Sequence, residues 1–518
     1  MRPILIAVCL ALGLASAAAP AARALDPDAL RQDIIAALNR GLTAYGTESF
    51  LFTGVETVAQ GAAVRVTIAD LALPLPDLGG RLELGDLAFT LADAPPVAPS
   101  GSLEGDRRYR VSEVTTASRA AIVDHADDKI VLINYGLERL SGVWSGALRS
   151  FLDFDMAVDR FEVLVPEERL AFAIDRFTAV NQVVTRGDGL TDMEGEARVT
   201  GLRTINPAVG TLRIGEILID YRSHGHDLAA FQAFNEAFDE IGNREAPPDR
   251  NRIAAILERL EQLDILPQGF IERIKVTDLN YLDAAQQPRF HLDEMELDLA
   301  GGDLHLALGY GSLGLRMTGA RTILPGGTGG GAGDDPAGNP LQALTPENLG
   351  LIASVERFPV RAWWRSVLNG LVLAAAARQQ GPDTDAIGEA MGAELLAAVN
   401  EAGTVLRLDR LDVETPSGRV RAEGAFHIDP ATAVGVRGRL DLTITGLDEM
   451  IAAAAGVAQS GQVAPGMQGN MMFLMLLKGM AKREPGPDGR PVDRLEIAVT
   501  PAGDILLNGL PFSMAPQQ

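Results

Sequence analysis

The residues of this chain that could do chemistry are few, and the first group is a short histidine motif. His224-Gly225-His226-Asp227 brings two imidazoles and a carboxylate together, a combination that could bind a metal ion. A third ligand at helical spacing is missing and a helical pattern begins at Asp227, so we interpret the motif as the approach and N-terminal cap of that helix. The acidic segment 124–128 around His125 fits no calcium loop and is interpreted as a solvated turn. We therefore predict no metal site.

Nucleophilic and nucleotide chemistry also lack their usual motifs. Ser102, Ser145 and Ser312 do not stand in the Gly-x-Ser-x-Gly frame of a hydrolase, and the chain has no phosphate loop or dinucleotide fingerprint. The glycine-rich residues 329–334 resemble one copy of a calcium-binding nonapeptide, but a single copy cannot build a β-roll, so they are interpreted as linker. We predict no catalytic residue, no cofactor and no enzymatic activity, with an unrecognised hydrolase as a distant alternative.

The remaining candidates are apolar side chains on two helical segments. Residues 361–378 place Trp364 and Leu371 on one apolar stripe, and residues 467–482 are rich in methionine, whose flexible side chain suits changeable apolar surfaces. Tryptophan favours boundaries between apolar and wet surroundings. The predicted ligand-binding residues are Trp363, Trp364, Leu371, Met471, Met472 and Met475. The alternative is that both helices fill the concave face of a sheet as ordinary core.

Three arginines accompany the first of these helices in an otherwise acidic chain. Arg361, Arg365 and Arg378 lie beside the apolar stripe, so an amphiphile could bury its tail against the stripe and place a headgroup at the arginines. These arginines are the predicted headgroup residues. The hypothesis applies only if the protein has a ligand at all.

The N-terminus has the order of a secretory signal peptide. An apolar run follows Arg2, and Ala22-Arg23-Ala24 supplies a small-x-small cleavage pattern, so residues 1–24 are predicted to be removed. The apolar run is shorter than the roughly 20 residues of a membrane span, so no stable transmembrane anchor is expected after processing. Cys9, the single cysteine, would be lost with it. The predicted location is the periplasm.

The overall charge excludes one class of partner. The 518-residue chain has a formal net charge of −24 and no basic stripe with interleaved aromatic residues, so nucleic-acid binding is not expected. A lipid or amphiphile and an envelope protein are the partners that remain.

One strand pattern recurs along the chain: apolar, any, apolar, any, charged, apolar, any, apolar. It begins at Val66, Leu82, Met156, Phe172, Leu212, Ile274, Phe290 and Leu406. Alternation with period two indicates a strand with one buried face. The pattern changes parity before its sixth position, so a straight strand would turn its second half outward, whereas a bulge that absorbs one residue keeps both halves on one face. We therefore predict bent, bulged strands.

The fold predicted from these patterns is α+β, with curved antiparallel β-sheets of bent strands, helices packed on one face, and two lobes. Its divisions are a signal peptide (1–24), an N-terminal β-rich lobe (25–324), a Gly/Pro-rich linker (325–344) and a C-terminal α+β lobe (345–518). The linker rests on a run of glycines flanked by prolines, which cannot bury apolar surface.

The bent strands, the export segment and the closing segment 503–511 together resemble the AsmA-like proteins, in particular the uncharacterised periplasmic families of unknown function related to them. The resemblance implies long sheets with an apolar concave face and, for better-understood relatives, a role in envelope lipid handling. AsmA-like proteins usually keep an inner-membrane anchor, which this chain is predicted to lose. We thus predict a non-enzymatic envelope protein that binds or shelters a lipid or other apolar ligand; the alternative is a structural or interaction module without a ligand.

Overall fold

The structure is a computed structural model. It describes residues 25–40, 50–75, 79–94, 108–146, 148, 150–165, 170–206, 208–242, 250–323, 340–377, 384–432, 434–459, 467–486 and 489–512. The predicted signal peptide and most of the predicted linker lie outside these residues, and so does Arg378.

Within the described residues lie eight helices and twenty-two strands. The helices are α1 (Pro27–Arg40), α2 (Leu228–Gly242), α3 (Arg250–Glu261), α4 (Pro340–Leu344), α5 (Val360–Ala377), α6 (Thr384–Ala402), α7 (Leu447–Gln459) and α8 (Met467–Met480). The first strands are β1 (Gly54–Gln60), β2 (Ala63–Leu75), β3 (Gly80–Asp93), β4 (Arg108–Thr116), β5 (Arg119–Val123), β6 (Lys129–Ser145), β7 (Ser150–Val165), β8 (Leu170–Thr185), β9 (Thr191–Asn206), β10 (Gly210–His226) and β11 (Gly269–Asp283). The later strands are β12 (Pro288–Gly302), β13 (Gly309–Thr318), β14 (Arg321–Thr322), β15 (Asn348–Phe358), β16 (Val405–Thr415), β17 (Gly418–Ile428), β18 (Val436–Thr445), β19 (Lys482–Pro485), β20 (Pro491–Val499), β21 (Ile505–Leu507) and β22 (Leu510–Pro511).

The predicted α+β class is wrong, because the fold is mostly β. Strands hold about twice as many of the described residues as helices do, and the described strand pairs run antiparallel. The physical reason is that the strands extend well beyond the eight positions of the repeated pattern, as in the 16-residue β7 and the 17-residue β10. The helical segments predict a layer of helices on one face of the sheet. Such a layer does not organise the fold, in which strands predominate.

The chain clusters into two compact units. The first unit comprises Met1–Pro207, Glu216–Phe270 and Trp364–Met391; the second comprises Ala208–Gly215, Ile271–Trp363 and Gly392–Gln518. The division into lobes at residues 325–344 stays a prediction, since residues 324–339 are not described and Pro340–Leu344 form α4.

In the first unit, an antiparallel sheet is closed on one face by α1. Strands β1, β2 and β3 pair in sequence, β3 then pairs with both β4 and β5, and β6 to β9 continue as a meander. Helix α1 buries Leu30, Ile34 and Leu38 on one stripe against that sheet. Arg31 Nε donates to the Val55 carbonyl at 2.8 Å, which fixes α1 to the edge strand β1.

In the second unit, the strands pair in the order β12, β13, β15, β16, β17, β18, β20, β21, β22. Strand β14 pairs with β12, and β19 pairs with β20. Ile444, Leu447, Leu477 and Leu495 form the centre of an apolar cluster in which α7 and α8 meet β18 and β20. Strands β20 and β21 form a terminal antiparallel hairpin.

The predicted bulges are confirmed at several copies of the repeated pattern. In β16, Asp409 and Arg410 together oppose the single residue Glu423 of β17, since Leu408 pairs with Gly424 and Leu411 with Ala422. In other copies the charged fifth residue itself takes a left-handed conformation, with φ of 52° at Asp70, 48° at Arg160 and 54° at Asp278. These local bends keep the apolar residues before and after them on one face.

Candidate apolar ligand site

The second unit contains an apolar cavity of about 440 Å³ between its two C-terminal helices and its sheet. The lining residues are Val420, Leu440, Leu442, Ile444, Met450, Leu474, Leu476, Leu477, Met480, Leu495, Ile497, Ile505, Leu507 and Phe512. Each of them is aliphatic, aromatic or a methionine. The cavity therefore offers hydrocarbon and thioether surface and no side-chain hydrogen-bonding group.

One wall of the cavity is formed by the sheet, because apolar residues alternate with other residues along the neighbouring strands β18 and β20. Leu440 and Leu442 of β18 stand directly opposite Ile497 and Leu495 of β20. Partners in an antiparallel pair share a face, so these side chains form one continuous apolar surface. The residues between them, such as Asp441, point to the other face.

The helical wall comes mainly from α8. Leu474, Leu477 and Met480 are spaced three apart, so they lie on one side of the helix and pack into the cluster around Ile444. Leu476 also lines the cavity and is 46% exposed, so the cavity reaches the protein surface at α8.

Polar contacts hold the two helices in position beside the cavity. Asp448, in the first turn of α7, receives Lys478 Nζ at 2.5 Å and Arg483 Nη2 at 2.6 Å. Lys478, and after it Arg483, hold the pKa of Asp448 below its ordinary value. At the same C-terminal end of α8, Asn508 Nδ2 donates to the Met480 carbonyl at 2.6 Å. The wall that α8 forms is thus fixed to α7 and to the β21–β22 turn.

The comparisons with known proteins concern this same region. Residues 272–516 match the model of a family described as "Uncharacterized protein conserved in bacteria (DUF2125)". The matched segment includes all of the cavity's lining residues. No curated protein and no solved structure matches the chain. The family match confirms the predicted resemblance to a family of unknown function, whereas the AsmA-like part of that resemblance stays a prediction.

Two further properties concern the described part of the chain as a whole. Among its helices, none combines the length and the hydropathy that crossing a membrane requires. Its His, Cys, Asp and Glu side chains form no group of three or more that could hold a metal ion.

The two predicted tryptophans have different surroundings. Trp364 packs in the first unit with Leu368 and its ring centroid lies 6.1 Å from that of Phe234, in the cluster where α2, α3 and α5 meet. Trp363 contacts Phe358 in the second unit, with a centroid distance of 6.3 Å. The side chains of Leu371, Met471 and Met472 lie outside the described residues. Met475 is 54% exposed on α8, outside the lining of the cavity.

The predicted headgroup arginines that are described already have protein partners. Arg361 Nη2 donates to the His305 carbonyl at 3.0 Å in the second unit. Arg365 Nε lies 3.3 Å from a carboxylate oxygen of Glu261 in the first unit. A ligand site shared by the tryptophans, methionines and arginines stays a prediction.

Sequence reasoning found α8 but missed the strand residues opposite it. Leu440, Leu442, Leu495 and Ile497 stand in segments in which apolar residues alternate with others, a pattern that predicts strands but no ligand site. The available signal was the combination of two such segments with the terminal hairpin, which places β20 between β18 and β21. That signal predicts that the apolar residues of β18 and β20 share one face of the sheet. It does not predict the distance between this face and α8.

The two alternatives to metal sites are confirmed as helix cap and turn. Asp227 Oδ1 accepts the amides of Ala229 at 2.9 Å and Ala230 at 3.0 Å at the start of α2. Burial lowers the pKa of His226, whose Nε2 lies 2.7 Å from Ser223 Oγ. Asp124 Oδ1 accepts the amides of Ala126 and Asp128, which closes the predicted acidic turn.

Proposed function

We propose that this protein is a non-enzymatic periplasmic protein that binds the hydrocarbon part of a lipid or similar amphiphile in the cavity beneath α8. The observation that carries the proposal is the composition of the cavity, which has only apolar side chains around about 440 Å³. Cavities that bind small molecules generally have volumes of 300–1,000 Å³ and mostly apolar walls. A ligand with polar groups along its length would lose their hydration without gaining partners here.

The expected driving force is the burial of hydrocarbon. Each buried CH₂ group contributes roughly 0.8 kcal/mol, so a chain of several CH₂ groups offsets much of the cost of association. The exposed edge at Leu476 would let the polar end of an amphiphile stay in water while its chain enters. The periplasmic location rests on the sequence of residues 1–24, and an N-terminus at or near Leu25 in the mature protein would support it.

A second candidate function is an interaction module of the cell envelope. It is favoured by three apolar side chains of the second unit that are substantially exposed, namely Met475, Leu476 and Leu510, the last of which is 71% exposed. Exposed apolar surface of this kind is typical of protein contacts. Under this function the cavity would be empty in the purified protein.

The experiment compares ligand content in three proteins. Wild-type protein purified from the periplasm is extracted with organic solvent, the extract is analysed by mass spectrometry, and the stripped protein is titrated with a fluorescent fatty acid. Leu442→Trp fills the cavity and should abolish both lipid recovery and probe binding. The matched control is Ile352→Trp, since Ile352 is 46% exposed on the opposite face of the same sheet.

Lipid in wild-type and Ile352→Trp but not in Leu442→Trp would support the proposal. A wild-type protein that yields no lipid and binds no probe would contradict it. Probe binding that Leu442→Trp leaves unchanged would also contradict it, because the probe would then bind elsewhere. Retained thermal unfolding in both variants is the check that they fold.

A further inference from the structure

A second cavity of the second unit lies on the polar face of the sheet and has a volume of about 330 Å³. It is lined by Asp409, Arg410, Leu411, Asp412, Arg421, Ala422, Glu423, Asp441 and Thr443. Arg421 and Thr443 alternate along their strands with Val420 and Leu442, which line the apolar cavity. Successive residues of a strand point to opposite faces, so this polar cavity is separate from the apolar one.

The β16 bulge forms part of this cavity. Asp409 and Arg410 occupy the bulge and Glu423 faces them from β17, where the regular pairing is interrupted. A bulge redirects side chains and leaves the strands locally unpaired. Here it brings two charged residues of β16 to face one of β17.

The buried carboxylate of Asp412 forms ion pairs with the arginines in and beside the cavity. The side chain of Asp412 is only 8% exposed, yet Arg419 donates to both of its oxygens at 2.6 Å and Arg410 donates at 2.9 Å. Arg421 Nε lies 3.7 Å from the same carboxylate. The hydrogen bonds from Arg419, more than those from Arg410, hold the pKa of Asp412 well below its usual range. Asp412 is therefore ionised and orients three guanidinium groups that remain partly exposed.

The acidic side chains of the cavity differ in whether they form hydrogen bonds or ion pairs with other residues of the protein. Asp441 is paired with Arg439, and Asp409 accepts the Ser354 hydroxyl at 2.7 Å. Glu423 has no hydrogen bond or ion pair to any residue that the structure describes. Arg421 and Glu423 stand two positions apart on the same face of β17, about 7 Å apart along the strand. The cavity thus presents, on one strand, the half-exposed guanidinium of Arg421 in its long ion pair with Asp412 and, beside it, the carboxylate of Glu423.

We propose that this polar cavity binds a small zwitterion, with its oxyanion at Arg410 and Arg421 and its ammonium group at Glu423. A simple anion would meet the carboxylates of the cavity, and a simple cation would meet its arginines. A zwitterion with a few bonds between its charges satisfies both sets, and guanidinium groups suit an oxyanion such as phosphate. Phosphoethanolamine has this chemistry, either as a free molecule or as a lipid headgroup.

The test measures binding by calorimetry to the full mature protein. The probes are phosphoethanolamine, inorganic phosphate and ethylamine, each titrated separately. Phosphoethanolamine should bind more tightly than either fragment. Arg421→Gln and Glu423→Gln should each weaken its binding by about tenfold, the value of one charged hydrogen bond. Arg437→Gln, an exposed arginine of the neighbouring strand outside the cavity, should leave binding unchanged.

Failure of phosphoethanolamine to bind would overturn the proposal. The proposal would also be overturned if phosphate bound as tightly as phosphoethanolamine and Glu423→Gln left binding unchanged. The site would then recognise only the phosphate group. If Arg421→Gln does not fold, Arg421→Lys and Glu423→Gln carry the test. If phosphoethanolamine binds, co-sedimentation of the protein with phosphatidylethanolamine vesicles distinguishes the two forms of the ligand. Co-sedimentation that Glu423→Gln abolishes identifies a lipid headgroup, and no co-sedimentation of the wild-type protein identifies the free zwitterion.

Discussion

The two units cover the apolar faces of their sheets in different ways. In the first unit, α1 lies on the face and its stripe is sealed against the strands, so that Ile34, Ile68 and Phe89 have no exposed surface. In the second unit, α7 and α8 lie on a face of similar composition but leave about 440 Å³ unfilled. Protein interiors are usually close-packed, and the lining of a void loses its dispersion contacts. The helix of the first unit is thus closely packed on its sheet, whereas the helices of the second unit are packed less closely and enclose a cavity.

The largest difference should appear when an apolar side chain is truncated in each unit. Ile34→Ala should lower the free energy of unfolding of the first unit by about 4 kcal/mol, since it removes contacts on all sides and leaves a new cavity. Leu474→Ala should cost the second unit less than half of that, because Leu474 already borders a cavity. Hydrogen exchange of β2 and of β18, followed by mass spectrometry, reports each unit separately.

Equal losses in the two units would show that the cavity beneath α8 is closed by tight packing in solution. Val58→Ala, a truncation of a half-exposed residue on β1, is the control and should change the exchange of neither unit by a measurable amount.

Enlarging a side chain should reverse the order of sensitivity. Val66→Phe in the first unit has no space to enter and should cost about 2 kcal/mol through displaced neighbours. Leu440→Phe in the second unit points into the cavity and should be close to neutral. Denaturant unfolding followed by proteolysis of each unit measures both. A Leu440→Phe variant as unstable as Val66→Phe would mean that the cavity has no room for an added ring.

How far the sequence predicts this molecule depends on the range of the interaction concerned. The bulge of β16 was predictable because it follows from the spacing of Leu406, Leu408 and Leu411 along one strand. The cap at Asp227 was predictable for the same reason, since the hydrogen bonds of a cap reach only two or three residues along the chain.

The candidate site was predictable only in part because it depends on contacts between distant segments. The sequence indicates that α8 is apolar, but whether it touches Leu442 or stands off from it depends on the connections at both of its ends, such as Asn508 to Met480. Trp364 was placed correctly on the apolar stripe of α5, yet its partner Phe234 lies 130 positions earlier and shares no pattern with it. The α+β prediction failed because strand length depends on pairing with neighbours, which the eight-residue pattern does not contain.

A third contrast concerns the buried polar groups of the two units and their response to acid. In the first unit Asn181 is buried and its amide donates to the Leu152 carbonyl at 2.5 Å, a contact that does not titrate. In the second unit one of the buried groups is the ionised Asp412. Its pKa is lower in the folded than in the unfolded state, so its contribution is complete above the unfolded pKa of about 4 and is lost as the pH falls below that value.

Acid should therefore destabilise the second unit more than the first. The expected loss that belongs to Asp412 is about 2 kcal/mol, typical of a buried charged group with hydrogen bonds. Asp412→Asn should remove this part of the pH dependence, and Asn181→Asp is the matched reverse change in the first unit. Hydrogen exchange at pH values above and below 4 measures both units; a pH dependence of the second unit that Asp412→Asn retains would assign it to other carboxylates.

The smallest expected contrast is between two aspartates that begin helices. Asp227 caps α2 in the first unit through backbone amides, so Asp227→Ala should destabilise that helix by about 1 kcal/mol at any ionic strength. Asp448 lies in the first turn of α7 in the second unit and acts through two partly exposed cations, Lys478 and Arg483. Because salt screens exposed ion pairs, Asp448→Asn should destabilise α7 at low ionic strength and have little effect at high ionic strength. Hydrogen exchange of α2 and α7 at the two salt concentrations compares them directly. An effect of Asp448→Asn that salt does not reduce would mean that Asp448 holds α7 over the cavity by capping rather than by its ion pairs.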